Sequence, residues 1–155
     1  MYFKDKTFLS EKKLFEKLFL KIRRYYQADI KSWFLLNPLT SFGEFLQNNC
    51  INDSYVVTTK DTKSVELLLN YYKIECRGIL GKDSFDKYGS KGKVIHSILS
   101  NNYFEEVIFV DDSSVHLDSV NSIGGIKCYF ADWGYERSSP YPVFNYSKLT
   151  SEKRL

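Results

Sequence analysis

Val107-Ile108-Phe109-Val110-Asp111-Asp112-Ser113 is a short apolar run that ends in two adjacent carboxylates and a small hydroxyl residue. An apolar run of this length, rich in Val, Ile and Phe, reads as a strand buried on both faces. In an open α/β sheet, ligands bind in the crevice at the carboxyl ends of the strands. Two like charges side by side at such a place repel each other and resist desolvation. A cation between them removes both objections, and hard carboxylate oxygens suit Mg2+. The competing reading is a solvated Asp-Asp turn that caps the following helix. On this stretch alone both readings stand.

Outward from this strand, the chain from residue 51 alternates strands and helices. Ser54-Tyr-Val-Val-Thr58 reads as a short buried strand, and Asp61 or Thr62 starts a helix carrying Val65, Leu68 and Leu69. Cys76-Arg-Gly-Ile-Leu80 is a second strand, followed by a polar loop from Gly81 to Ser90. Ser90 caps a helix through Val94, Ile95, Ile98 and Leu99. After the 107–110 strand, residues 114–122 form a helix that Gly124-Gly125 ends, and Ile126-Lys-Cys-Tyr-Phe130 is the last strand. This order predicts an α/β fold: a Rossmann-like parallel sheet with right-handed crossovers and flanking helices. Before residue 50 the pattern is helical. Leu14, Phe15, Leu18, Phe19 and Ile22 recur at helical spacing from about Ser10 to Gln27, with Ser10 as half of a capping box. Asn37-Pro38 breaks the chain, and Thr40 or Ser41 caps a short helix that Asn48-Asn49 ends.

Composition narrows the class. A chain of 155 residues is expected to form one domain with a proper core. A net charge of +3 is too small to argue for nucleic acid, and Lys21-Ile-Arg-Arg24 reads as a solvated helix face. No apolar run reaches transmembrane length, and the charged start is no secretion signal. Cys50, Cys76 and Cys128 are odd in number and widely spaced, which fits reduced thiols in a cytoplasmic protein. The expectation is therefore no nucleic acid and no membrane, with the 12 Tyr and 12 Phe leaving room for a protein partner.

Three places carry candidate chemistry. Thr58 and Thr59 follow the first of these strands, where a hydroxyl and nearby amides can bind a phosphate oxygen; taken alone, a helix cap is the favoured reading. Lys91 stands at a helix N-terminus, against the helix dipole, which favours a role that needs its charge over simple exposure. Asp111 and Asp112 are the third. A hydroxyl, a lysine and a carboxylate pair are the anion-plus-metal kit of phosphoryl transfer.

These residues resemble the haloacid dehalogenase-like superfamily, mostly Mg2+-dependent phosphatases, over about residues 51–135. Tyr55-Val-Val-Thr-Thr-Lys60 resembles its second motif, Ser90-Lys-Gly-Lys-Val-Ile95 its third and Phe109-Val-Asp-Asp-Ser113 its acidic metal site. Ala131-Asp-Trp-Gly-Tyr135 resembles the segment after the last strand. The family's remaining motif is an N-terminal strand followed by Asp-x-Asp-x-Thr, in which the first Asp is the nucleophile and the second a general acid/base. This chain has no Asp-x-Asp. In the preferred register, Asp5-Lys6-Thr7 matches the second half of the motif and Phe3 stands where the nucleophile belongs. In the other, Asp5 is the nucleophile and Thr7 replaces the general acid, as in the Asp-Lys-Thr of the superfamily's ion-pumping ATPases. Only a very short strand precedes Asp5 in either register, which points to a truncated start.

The resemblance implies residues 1–9 as a remnant of the first core strand and nucleophile loop, 10–49 as a small helical cap and 50–155 as the core. It implies Asp5 and Lys91 as catalytic, Thr58, Thr59 and Lys91 as phosphate-binding, and Asp5, Asp111 and Asp112 as Mg2+ ligands for a small phosphorylated substrate. The alternative it leaves is an inactive relative that serves as a binding or accessory module. His116 stands where many relatives carry another Asp or Asn, and it reads as a helix-surface residue; His96 reads as structural. A receiver domain carries a similar kit, but with its acidic pair at the first strand.

Overall fold

The computed structural model describes residues 6–49, 51 and 53–150. The chain divides into two units, one ending at Pro38 and the other beginning at Leu39. The first holds α1 (Lys6–Ala28) and α2 (Ile30–Leu35), which contact each other. Asp29 separates them and caps α2, its carboxylate accepting from Ser32 N at 3.4 Å and from the Ser32 hydroxyl. Ser10, expected to start the first helix, lies inside α1, because nothing in residues 6–9 breaks a helix. Those four residues are the beginning of α1, while Asp5 lies outside the described residues.

The second unit is mixed α/β. Its elements are α3 (Ser41–Asn48), β1 (Tyr55–Val57), α4 (Thr62–Tyr72), β2 (Gly78–Leu80), α5 (Lys82–Tyr88), α6 (Lys91–Leu99), β3 (Ile108–Asp111), α7 (Ser114–Asn121), β4 (Lys127–Phe130) and a 3-10 turn at Tyr146–Thr150. β1 pairs in parallel with β2, Tyr55 facing Gly78, and β3 pairs in parallel with β4, Ile108 facing Lys127. Parallel neighbours need a crossover. α4 supplies it for the first pair and α7 for the second. Among the described residues no ladder joins the two pairs.

The caps read from sequence are formed by the expected side chains. Thr40 accepts from Gly43 N at 3.2 Å, Asp61 from Ser64 N at 3.0 Å and Ser90 from Lys93 N at 3.3 Å. The stretch 81–90, expected to be a loop, holds α5 instead. Its sequence is polar enough to hide the helical period, yet Gly81 opens it, Gly89 closes it at φ 85°, Asp83 lies in its first turn and Lys87 in its last. Gly89 supplies the left-handed residue that ends many helices.

The core forms where α6 and α7 meet the β3–β4 pair. Ile95, Phe109, Leu117, Val120, Ile126, Cys128 and Phe130 are buried together, and Val57 of β1 packs against them. α3 belongs with this unit rather than with the helices before it, because Phe42 and Phe45 stack among Trp133, Phe144 and Tyr146. The α6–α7 contact depends on Gly92, whose N–H donates to Ser119 Oγ at 3.3 Å. A Cβ there would run into the Ser119 carbonyl and hydroxyl.

Gly92→Ala therefore carries a distinctive sign. Within a helix this change normally stabilises by about 0.5–1 kcal/mol. Here the clash reverses it, and urea denaturation is expected to show a loss of about 1–3 kcal/mol. A stabilised variant would show that α6 and α7 are not in such close contact.

Candidate functional site

β3 delivers Asp111 as its last residue, and Asp112 follows at once. α6 delivers Lys91 in its first turn, placed there by the Ser90 cap. The two elements meet so that Lys91 Nζ donates to Asp111 Oδ2, with both residues only 7% exposed. The other oxygen, Asp111 Oδ1, accepts from Ser113 N at 2.9 Å and lies 3.0 Å from His116 Nδ1. An ionised carboxylate only accepts, so that contact selects the imidazole form carrying its proton on Nδ1. His116 is thus a member of the site, not the helix-surface residue its sequence context suggests. His96 is an exposed residue on α6.

Asp112 points its carboxylate elsewhere. Its Oδ2 accepts from Tyr135 N at 2.7 Å, and Gly134 lies so close to Asp112 that any Cβ would strike the carboxylate. The segment 131–135 therefore fixes the second acid from the far side. Asp111 and Asp112 line a pocket of about 310 Å3 together with Thr40, Phe42, Val110, Ala131, Trp133 and Gly134. That is at the small end of the range for ligand sites, about 300–1,000 Å3. Neither the Phe42–Trp133 wall nor the Gly134–Asp112 approach was legible locally, since their partners are distant in sequence.

The remaining sequence candidates are not bonded to this cluster. Thr58 follows β1, donates its N–H to Leu80 O at 3.0 Å and accepts from Lys60 N at 3.1 Å through Oγ1. That leaves its O–H available as a donor. Thr59 is exposed. Among the described residues no hydrogen bond or ion pair links Thr58 or Thr59 to Lys91, Asp111 or Asp112. Cys76 and Cys128 are free thiols, both pushed above their ordinary value by burial, which disfavours the thiolate; Cys50 lies outside the described residues.

Two further contacts set the frame of α7. Ser113, at its N-cap, makes no capping bond. Glu136 does that work from outside: its Oε2 accepts from Ser114 N at 2.9 Å and from Ser114 Oγ at 2.8 Å. The backbone N–H of Ser114 is the chief reason that the Glu136 carboxyl is held below its ordinary value. At the other end, Tyr141 OH donates to Asp118 Oδ1 at 2.8 Å, and that bond raises the tyrosine.

The donor set is of the kind Mg2+ takes, since that ion is usually held by one or two carboxylates plus water and phosphate oxygens. Asp112 would hold it, with Asp111 sharing its charge between the ion and Lys91. Among the described residues no group of three or more His, Cys, Asp and Glu side chains gathers closely enough to bind a metal unaided.

No protein-family model matches the chain, and neither a curated protein nor a solved structure matches it significantly.

Two outcomes follow. Removing one partner of a buried ion pair leaves the other uncompensated. Lys91→Met is thus expected to cost about 3–5 kcal/mol by urea denaturation, and adding Asp111→Asn should restore most of it. A double variant that loses the sum of the two single losses would mean that the pair contributes no coupling. Glu136 gives the pH dependence. Its folded value is depressed, so its contribution is present above the unfolded value of about 4.3 and is lost as pH falls through the folded one. The wild type should exceed Glu136→Gln in urea midpoint at neutral pH, and the gap should close in acid.

Proposed function

We propose that this chain has the haloacid dehalogenase-like core and that its site is one for Mg2+-dependent phosphoryl transfer on a small phosphorylated metabolite. The single observation that supports this most is the buried Lys91–Asp111 pair at the carboxyl end of β3, with Asp112 beside it at the pocket. A buried lysine that could have pointed into solvent is instead drawn to the acidic end of a parallel strand. A structural cross-link needs no second carboxylate next to it; an anion-and-metal site does. In the same reading β1 and β3 belong to one doubly wound, Rossmann-like sheet, which the packing of Val57 against the β3–β4 core favours.

The roles follow from chemistry. Lys91 would neutralise a phosphate dianion, Thr58 would donate its hydroxyl to a phosphate oxygen, and Asp112 with Asp111 would hold the cation. Mg2+, when bound, would screen the charge on the phosphate. In the second N-terminal register Asp5, which lies outside the described residues, would be the nucleophile. Its carboxylate would attack phosphorus, the ester oxygen would leave with the bonding pair and take up a proton from solvent, and water would then release phosphate from the aspartyl-phosphate. Thr7 in place of a general acid leaves the departing oxygen without a dedicated proton donor, which predicts slow turnover.

One observation favours a second reading, an inactive binding or accessory protein. Both oxygens of Asp111 are already engaged, by Lys91 on one side and by Ser113 N and His116 on the other. A site so self-satisfied can hold a structure together with no substrate present.

Hydrolysis of p-nitrophenyl phosphate in Mg2+ separates the two. The proposal expects slow release that Asp5→Asn lowers at least about a thousandfold and Asp112→Asn about ten- to a hundredfold. A folded wild type with no Mg2+-dependent release would leave the second reading in possession.

A further inference from the structure

α1 presents an apolar stripe outward. Phe15 is 68% exposed, Leu14 58%, Ile22 55%, Leu18 50% and Phe19 48%, and all lie on one side of the helix at three- and four-residue spacing. The half-covered positions within α1 are Glu16, Leu20, Arg23 and Gln27, which occupy the opposite side. An ordinary surface helix does the reverse, covering its apolar stripe and exposing its polar one. Phe15 and Phe19 stack with ring centroids 6.1 Å apart, so the exposed stripe is a continuous surface and not scattered residues.

The charges flanking this stripe specify its occupant. α1 carries seven of the 22 Lys and Arg residues and two of the 19 acidic ones, whereas the rest of the chain carries 15 basic and 17 acidic residues. The positive charge of the protein is thus concentrated in this one helix. Lys13, Lys17 and Lys21 are exposed and recur every four residues along one margin of the stripe. Lys12 and Arg23 line the other, the Arg23 guanidinium resting over the Phe19 ring at 4.7 Å. A helix with an apolar stripe of Phe and Leu flanked by Lys and Arg and with low overall hydrophobicity is built to lie in a bilayer interface. No described helix is long and apolar enough to cross a membrane.

Against the expectation of no membrane drawn from composition, we infer that α1 is a surface anchor for an anionic lipid bilayer, its Leu14–Phe15–Leu18–Phe19–Ile22 stripe entering the acyl boundary and its lysines meeting the headgroups on both sides. The anchor is independent of the phosphoryl-transfer reading, since it uses none of that site's residues.

The test is co-sedimentation of the full chain with phosphatidylserine/phosphatidylcholine vesicles and with pure phosphatidylcholine vesicles. Binding to the anionic vesicles should exceed binding to the neutral ones by about tenfold or more and fall steeply with salt. Leu18→Glu/Phe19→Glu should abolish it. Lys13→Gln/Lys17→Gln/Lys21→Gln, which keeps the apolar stripe, should lower it about tenfold or more. Circular dichroism confirms that each variant retains its helices. No preference for anionic vesicles would overturn the inference. So would a concentration-dependent dimer in sedimentation velocity that Leu18→Glu/Phe19→Glu dissolves, with no vesicle binding, because the stripe would then be a contact between copies of the chain.

Discussion

The second unit is organised around one buried charge pair. Taking a lysine and an aspartate out of water costs several kcal/mol per ion, and their attraction offsets this only when the geometry is good and other bonds complete the shell. Asp111 meets that condition through Lys91 on one oxygen and Ser113 N with His116 on the other. The pair joins the start of α6 to the end of β3, two consecutive elements whose bonded residues lie 20 positions apart, and α7 begins three residues later. Three elements are therefore held in register at one point, and that point is the carboxyl end of a parallel strand.

Around it, short-range and long-range constraints divide the work. The apolar residues of α6, α7, β3 and β4 fill a core in which Leu117 and Val120 are fully buried and Phe130 nearly so. The polar surround is fixed by single remote contacts: Glu136 on the N-terminus of α7, Tyr135 N on Asp112, Tyr141 on Asp118. The segment after β4 supplies all three. It has little regular structure, yet it lines the pocket with Trp133 and Gly134 and holds the Asp112 carboxylate through Tyr135 N.

What could be read from the sequence follows from these distances. β3 was legible because Val, Ile and Phe in a short run have few other homes, and the acids at its end were legible because a pair of charges there needs a reason. Caps at Thr40, Asp61 and Ser90 were legible because their partners are three residues away. α5 was not, since Lys82–Tyr88 carries one clearly apolar residue, Phe85, and no period can be drawn from one point. His116 was missed because its contact to Asp111 exists only once α7 folds back on the strand end. The helical period of α1 was plain from Leu14, Phe15 and Leu18; which side of the helix would be covered was not, because periodicity gives a face and not its partner.

The central claim is that Lys91, Asp111 and Asp112 form a joint site for a cation and a phosphate. Isothermal titration of the folded chain with Mg2+ and inorganic phosphate, each in the absence and presence of the other, tests it most directly. Binding at one site makes the effects reciprocal: each ligand should tighten the other by the same factor, and Asp112→Asn should remove the coupling. Failure of the wild type to bind either ligand, or binding of both with no mutual effect, would contradict the claim and leave the charge pair as a structural cross-link.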